Sequence, residues 1–363
     1  MRVGILTYHD ALSYGARLQA LALQECIRSL GHEVSIIDYR GNVHTAMHWY
    51  DIFRTRSPWG FVNKYNKYRM DCAFRGFNGK YYHLTKSCTT KTELQGVAAE
   101  FDALVVGSDQ VWQLRNFSDG SRFDPNYFLS FVKTGVRRIS YAASFGHEFP
   151  RTRIAEEIED LKRFDSLSVR EGRAADELAK CLNREVVNVC DPTLLWGRDG
   201  FDSILPRERC TNTDSFYFSL SPQEDRDARI ITATRHLFGM NVVLASRTLR
   251  MSALGANFTC GPISWIESIR TARFVLTNSF HGTVFSILYH RPFLFLPWER
   301  QSQNVRVFEL LKKLNLTNHI LSTGKDVRQQ LLSADADTDW VKIDVLLDEW
   351  RCNSRSYLMS ALS

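Results

Sequence analysis

Short apolar runs and longer amphipathic stretches alternate along most of the chain. Residues 3–7 form a compact apolar run. The polar loop 8–14 follows, and residues 15–30 carry Leu18, Leu21, Leu23 and Cys26 at helical spacing. Gly31 and His32 close that helix, and residues 33–39 read as the next strand. Further strands are expected at 101–106, 138–146, 166–171 and 185–189, with a helix over 154–164. After a polar, irregular stretch at 196–213 the alternation resumes. Strands are expected at 216–220, 241–245, 273–276 and 293–297, and helices at 225–238, 263–271, 281–290 and 305–314. Strands that alternate with helices predict mostly parallel sheets.

A chain of 363 residues exceeds what one core usually serves, so two domains are expected. The pattern divides into an N-terminal α/β domain over 1–195, a C-terminal α/β domain over 214–330 and a helical tail over 331–363. In the tail, Trp340, Ile343, Leu347 and Trp350 share one helical face, which is expected to pack back on the first domain. Residues 41–95 interrupt the first domain as a basic-aromatic insertion. Between 51 and 91 it holds nine Lys and Arg residues against Asp51 and Asp71, interleaved with aromatic rings. Phe61, Tyr65, Tyr68 and Cys72 fall on one helical face. The plain reading is an amphipathic helix packed on the domain; the sharper one is a surface for a glycan or an anionic lipid carrier.

Composition changes this picture little. The chain is 44% hydrophobic and 24% charged, ordinary for a globular protein, and no apolar run has the length of a membrane span. The start of the chain is too polar downstream for a signal peptide. Eight scattered cysteines without a C-x-x-C pair suggest neither zinc nor a disulfide framework, so reduced thiols and a cytoplasmic location are expected. A formal charge of +6 favours anionic substrates or the inner face of a membrane, and is too small to argue for nucleic acid.

The chemistry-bearing residues collect where strands end. Residues 272–290 read as strand, polar turn and helix, placing Ser279, His281, Gly282 and Thr283 at a helix N-terminus on the carboxyl edge of a sheet. Free N–H groups and the helix dipole favour an anion there, Gly282 is expected to let a ligand approach the backbone, and His281 can supply a proton. The bland alternative is a capped helix whose histidine bonds a neighbouring carbonyl. Two more polar clusters follow strands: Gly107-Ser108-Asp109-Gln110 and Arg170-Glu171. For Arg170 and Arg306 the alternative is an ion pair, for Glu171 a salt bridge to Arg170, and for Asp109 a turn-stabilising Asx bond. The first βαβ lacks G-x-G-x-x-G, so no dinucleotide is expected.

Seven stretches, in order, resemble the polysaccharide pyruvyl transferase family. They are Ser13-Tyr-Gly-Ala-Arg-Leu-Gln-Ala-Leu-Ala-Leu23, Val105-Val-Gly-Ser-Asp-Gln-Val-Trp112, Ser140-Tyr-Ala-Ala-Ser-Phe-Gly146, Ser168-Val-Arg-Glu171, Asp191-Pro-Thr-Leu-Leu195, Thr277-Asn-Ser-Phe-His-Gly-Thr-Val-Phe-Ser286 and Asn304-Val-Arg306. The resemblance covers most of 3–316; residues 41–100 and the tail carry little of it. It implies an α/β fold similar to GT-B glycosyltransferases, with two Rossmann-like domains facing a cleft, the N-terminal one on the acceptor side and the C-terminal one on the donor side. It also implies transfer of pyruvate from phosphoenolpyruvate to a sugar of a cell-surface polysaccharide or its lipid-linked precursor, as a ketal. His281 matches the family's histidine before glycine, Arg170 and Glu171 its Arg–Glu pair, and Asp109 its Gly-Ser-Asp turn. The chain departs from many members at Ser13, where Asn is common, at Asn278, where Asp is common, and at Ser279, where some branches carry a donor-holding Arg.

On this reading His281, Glu171 and Asp109 are the catalytic candidates, with either carboxylate as the base. Arg170, Ser279, Gly282, Thr283, Asn304 and Arg306 are the donor-binding candidates, and Ser13, Tyr14 and Gln19 the acceptor-binding ones. No cofactor or metal is expected beyond phosphoenolpyruvate as donor substrate. The expected partners are that small-molecule donor and a glycan or lipid-linked oligosaccharide; peripheral membrane contact and a homo-oligomer are compatible with the sequence. Two rivals stay open: a GT-B glycosyltransferase using a nucleotide sugar, and a non-catalytic glycan-binding protein of the same fold.

Overall fold

The computed structural model describes residues 1–41, 58–114, 123–133, 135–151, 154–155, 157–206, 214–238, 242–246, 261–336 and 338–363. They fall into two compact units. Unit 1 comprises Met1–His44, Asn78–Gly197 and Leu346–Ser363, and unit 2 comprises Thr45–Phe77 and Arg198–Val345.

Unit 1 is built on a parallel sheet of order β2-β1-β3-β4, with β1 at Arg2–Leu6, β2 at Glu33–Ile36, β3 at Ala103–Val106 and β4 at Arg137–Ser140. A two-stranded pair, β5 (Ser168–Val169) and β6 (Val187–Asn188), continues it through bridges such as Ala143 to Val169. Helix α1 (Tyr14–Ser29) is buried nearly all round rather than along one stripe, because its polar side chains find partners inside. Arg17 donates to the Asp10 and Ala11 carbonyls, and Gln24 donates to the Tyr81 carbonyl and accepts from the His83 N–H. Leu6, Leu104, Val106, Trp112, Phe128 and Phe145 anchor this unit's core. Helices α3 (Lys91–Ala98), α4 (Ile158–Lys162) and α5 (Gly172–Leu182) complete the unit's helical layer, α4 being shorter than the apolar spacing predicts.

Unit 2 repeats the design with the parallel order β10-β9-β7-β8: β7 at Ser215–Ser219, β8 at Val242–Ser246, β9 at Val275–Thr277 and β10 at Phe293–Phe295. Helices α7 (Glu224–Phe238), α8 (Pro262–Thr271), α9 (Phe280–Leu288), α10 (Val305–Lys313) and α11 (Val327–Ala336) belong to it. Tyr217, Ile230, Ile231, Leu276, Leu294 and Leu331 form a core separate from that of unit 1.

The division of the chain differs from the pattern-based one in three places. The stretch expected as an insertion into the first domain splits within helix α2 (Pro58–Tyr81), its residues up to 77 going with unit 2 and those from 78 with unit 1. The buried face of α2 is that of Asp71, Phe74, Phe77 and Asn78, while Phe61 and Tyr65 of the expected apolar face are exposed. Residues 42–57 lie outside the described residues. The expected irregular linker starts as helix α6 (Pro192–Asp202), which kinks at Gly197 with φ 71° at the point where the units divide. Only glycine adopts that φ at little cost; residues 207–213 are outside the description. Helix α12 (Trp340–Leu362) is likewise shared. Its later part, with Leu347 and Trp350 of the expected apolar face, belongs to unit 1, whereas Trp340 and Ile343 of that face belong to unit 2, where Trp340 stacks on His290. Tyr357 donates to the Ser140 carbonyl at 2.8 Å, Arg351 to the Leu194 carbonyl at 2.7 Å, and Ser354 accepts from the Cys190 N–H at 2.9 Å. Among the described residues no helix is long and apolar enough to cross a membrane, and six cysteines are free thiols.

Candidate active site

In unit 1 the polar turns that follow β3, β4, β5 and β6 converge on one buried network. Arg170, just beyond β5, donates from Nη1 to Asp191 Oδ2 at 2.8 Å, and its Nε lies 3.4 Å from Glu171 Oε1. Ser108 donates to the same Asp191 oxygen at 2.9 Å, and Ser144 donates to Glu171 Oε1 at 2.5 Å. Asp191 is held in turn by the Thr193 hydroxyl and N–H, at 2.7 and 3.0 Å. Burial alone would lower the Arg170 pKa, but Glu171, Asp191 and Asp109 outweigh it and hold the guanidinium above its usual range. Arg170 and Glu171 therefore form the ion pair that the sequence offered as an alternative to their functional roles. Its partner Asp191 was not among the candidates, although it follows β6 in the same strand-end pattern. Asp109 is the more open carboxylate of the three. It sits at φ 75°, and its Oδ1 accepts from the Gln110 N–H at 2.8 Å. Aspartate is among the few residues that tolerate this left-handed turn.

A second unit 1 constellation escaped the sequence reading. His9 Nε2 lies 2.9 Å from Asp38 Oδ1, while His9 Nδ1 faces the Thr7 carbonyl at 3.2 Å. Arg40 Nε donates to both Asp38 oxygens at 3.0 and 3.2 Å. The signal was present in the pattern: His9 follows β1 and Asp38 follows β2, and these strands are parallel neighbours. A cavity of about 20 Å³ beside them, lined by Tyr8, His9, Tyr39 and Tyr127, holds little more than a water.

The three acceptor candidates serve the structure around the start of α1. Gln19 is fully buried and donates to Thr7 Oγ1 at 3.0 Å and to the Ala16 carbonyl at 2.8 Å. Ser13 is the N-cap of α1, accepting from the Ala16 N–H at 3.4 Å, and Tyr14 is buried at the first helical turn. Of the three, only Ser13 keeps partial exposure.

In unit 2, β9 ends at Thr277 and α9 begins after the N-cap Ser279, which places His281 at the second helical position. The cap is already occupied. Thr277 Oγ1 accepts from the Ser279 N–H at 3.1 Å, Ser279 Oγ accepts from the Gly282 N–H at 3.3 Å, and the Thr283 hydroxyl donates to the Ser279 carbonyl at 3.1 Å. A Cβ on Gly282 would lie 2.4 Å from Thr277 Oγ1, so this glycine serves helix-on-strand packing. The expectation that it admits a ligand gives way to that contact. Thr283 is fully buried and turned inward, whereas His281 keeps 7% exposure. Phe280 neighbours two candidates: its ring centroid is 5.1 Å from that of His281 and 5.8 Å from the Arg306 guanidinium.

Asn278 and Asn304 fix the loops around this helix start. Asn278 accepts from the Leu220 N–H at 2.8 Å and donates to Ser219 Oγ at 2.7 Å and to the Ser221 carbonyl at 3.1 Å. Its own carbonyl accepts from Trp298 Nε1 at 2.8 Å. Asn304, fully buried, clamps the Trp298 backbone, accepting from its N–H at 2.8 Å and donating to its carbonyl at 3.0 Å. Both amide ends are thus committed to Trp298 rather than turned to a donor substrate. Among the described residues no group of three or more His, Cys, Asp or Glu is placed to hold a metal ion.

Comparison with solved structures agrees with the two-unit α/β architecture. The chain is similar to the UDP-GlcNAc 2-epimerase of Methanocaldococcus jannaschii, with TM-score 0.52 and 13% identity over 92% of this chain and 91% of that one. It is similar to S. aureus MnaA in its UDP co-structure, with TM-score 0.51 and 11% identity over 92% and 86%. It is also similar to an alpha-glucosyltransferase solved with UDP and a 13-mer DNA, with TM-score 0.52 and 9% identity over 99% and 95%. Identities this low speak for the fold alone, which is of the GT-B type. No curated protein matches the chain. The family model described as Polysaccharide pyruvyl transferase matches residues 14–300, a span that takes in the strand-end network of unit 1 and the α9 start of unit 2. The chain therefore belongs to the polysaccharide pyruvyl transferase family and is a transferase.

Proposed function

We propose that this protein moves the pyruvyl group of phosphoenolpyruvate onto two hydroxyls of a sugar in a cell-surface polysaccharide or its lipid-linked precursor. The observation that carries the reading is His281: it stands at the start of α9, beyond the carboxyl end of β9, inside the family-matched span. An imidazole in that position can act as a general acid.

The chemistry asks little else of the protein. One sugar hydroxyl adds to the enol carbon while the methylene carbon gains a proton. The second hydroxyl then displaces phosphate, leaving a cyclic ketal and inorganic phosphate. We assign the methylene proton to His281, a role that general acid catalysis typically makes worth ~10²–10⁴ in rate. Arg306, which like His281 neighbours the Phe280 ring, is the cation we assign to a donor anion, since guanidinium pairs well with carboxylate and phosphate. Arg170 is committed to Asp191 and Glu171, so we give it a positioning role. Of the two candidate bases, both in unit 1, Asp109 is the more open; Glu171 is 3% exposed and accepts from Ser144.

The test is transfer of labelled pyruvate from phosphoenolpyruvate to candidate glycans, read by mass spectrometry. Transfer that falls at least ~10² in His281→Ala at unchanged melting temperature supports the assignment. Near-normal turnover in that variant removes His281 from the mechanism. A gain in melting temperature with nucleotide sugars, and none with phosphoenolpyruvate, would turn the reading to a glycosyltransferase.

A further inference from the structure

We propose that a cavity wholly within unit 2 binds a neutral saccharide segment, which, if the reading above holds, is the acceptor glycan, in place of the unit 1 candidates Ser13, Tyr14 and Gln19, whose side chains serve the start of α1. The cavity has a volume of about 630 Å³ and lies between the loop after β7 with the first turns of α7 on one side and the segment after β10 on the other. Its walls include Gln223, Asp225, Arg226, Trp298, Glu299 and Gln303. That volume falls within the ~300–1,000 Å³ of small-molecule sites.

The lining chooses the ligand class. Three arginines are matched there by three carboxylates, so the wall carries no net positive charge to select a phosphate or a nucleotide. Arg226 is further neutralised by Asp227 at 2.8 Å and donates to the Pro297 carbonyl at 2.6 Å. Arg229 donates to the Asp225 carbonyl at 3.1 Å. What remains is a dense mixture of donors and acceptors around one indole. Sugar hydroxyls both donate and accept, and the C–H face of a pyranose packs against an aromatic ring, so a saccharide satisfies both parts of this wall.

The site is also held in place. Asn304 clamps the Trp298 backbone at both polar groups, and Trp298 Nε1 donates to the Asn278 carbonyl. Asn278 bonds the opposite wall through Leu220 and Ser221, so one residue ties both loops together. Asn278 lies three positions before His281, at the same strand end. A saccharide bound in this cavity is thereby carried on the edge of the unit from which α9 starts.

The test uses the whole chain on a glycan array of bacterial surface polysaccharides and defined oligosaccharides, together with ¹⁹F NMR of 5-fluorotryptophan-labelled protein. A subset of neutral glycans should be retained without phosphoenolpyruvate and should shift the Trp298 resonance, assigned with Trp298→Phe. Retention should fall at least about ten-fold in Trp298→Ala, the scale of an aromatic anchor. Glu299→Gln, at an exposed residue where folding is not at stake, should weaken it as well. Retention unchanged in both variants, no neutral glycan retained, or a Trp298 shift with UDP alone would overturn the proposal. Glycan binding through Trp298 without pyruvyl transfer would instead count against the transfer reaction only.

Discussion

The His9 imidazole and the Asp38 carboxylate meet at 2.9 Å across the ends of two neighbouring parallel strands. Burial by itself would raise the Asp38 pKa, but the hydrogen bonds from His9 and Arg40 outweigh it and bring the carboxyl down to about 2. A depressed carboxylate contributes stability that is complete above its unfolded value of ~3.9 and is lost as pH falls through its folded value. Asp38→Asn should therefore cost on the order of 1–2 kcal/mol at neutral pH. The gap to wild type in urea denaturation should close between pH ~4 and about 2. A gap that stays constant down to acid would show that the carboxylate charge is not what these contacts stabilise.

Arg170, Asp191 and Glu171 should behave as one buried unit. Arg170→Ala leaves two buried carboxylates without their cation, and a loss of ~3–5 kcal/mol in unfolding free energy is expected. Asp191→Asn in the same background should recover part of that loss, because it removes one of the unpaired charges. Additive losses in the double variant would mean that the two residues do not share an interaction.

Gly282→Ala places a methyl group 2.4 Å from Thr277 Oγ1 and 3.1 Å from Thr277 Cβ. Overpacking of this kind costs ~1–3 kcal/mol. Thr277→Ala should relieve the clash in the double variant, minus the hydrogen bonds that Thr277 makes to the Phe218 carbonyl and the Ser279 N–H. A stable Gly282→Ala protein in thermal denaturation would dismiss the packing account of this glycine.

His281 and Arg306 both neighbour the Phe280 ring, yet different kinetic signatures are expected of them. His281→Ala should lower kcat at least ~10², as loss of a proton donor does. Arg306→Ala should act mainly on the KM for phosphoenolpyruvate, as loss of an anion contact does. The opposite pattern in initial-rate measurements would exchange their assignments.

Much of the architecture is visible in one dimension. The parallel sheets follow from buried apolar runs separated by helical spacing, and strand-end polar clusters such as Gly107–Gln110 and Arg170–Glu171 are found by position alone. The roles inside those clusters are less legible. Arg170 looks like an anion-binding cation until Asp191, 21 residues further on, is seen against it. Asn304 looks like a ligand contact until both ends of its amide are found on Trp298. Helix α2 turns its Asp71–Phe74–Asn78 face inward, because neighbours from distant segments, not periodicity, decide which side of a mixed helix is covered.

Local order along the chain was enough to determine the alternation of strands and helices, the polar strand ends and the family that seven ordered motifs resemble, since these depend on neighbouring residues and their spacing. Only the tertiary structure decided which polar groups are satisfied by one another: Arg170 by Asp191, His9 by Asp38, the α9 cap by Thr277, and Trp298 by two asparagines. Hydrogen bonds and ion pairs act over a few ångströms, and the residues they join are set by sheet register and helix packing rather than by distance along the chain.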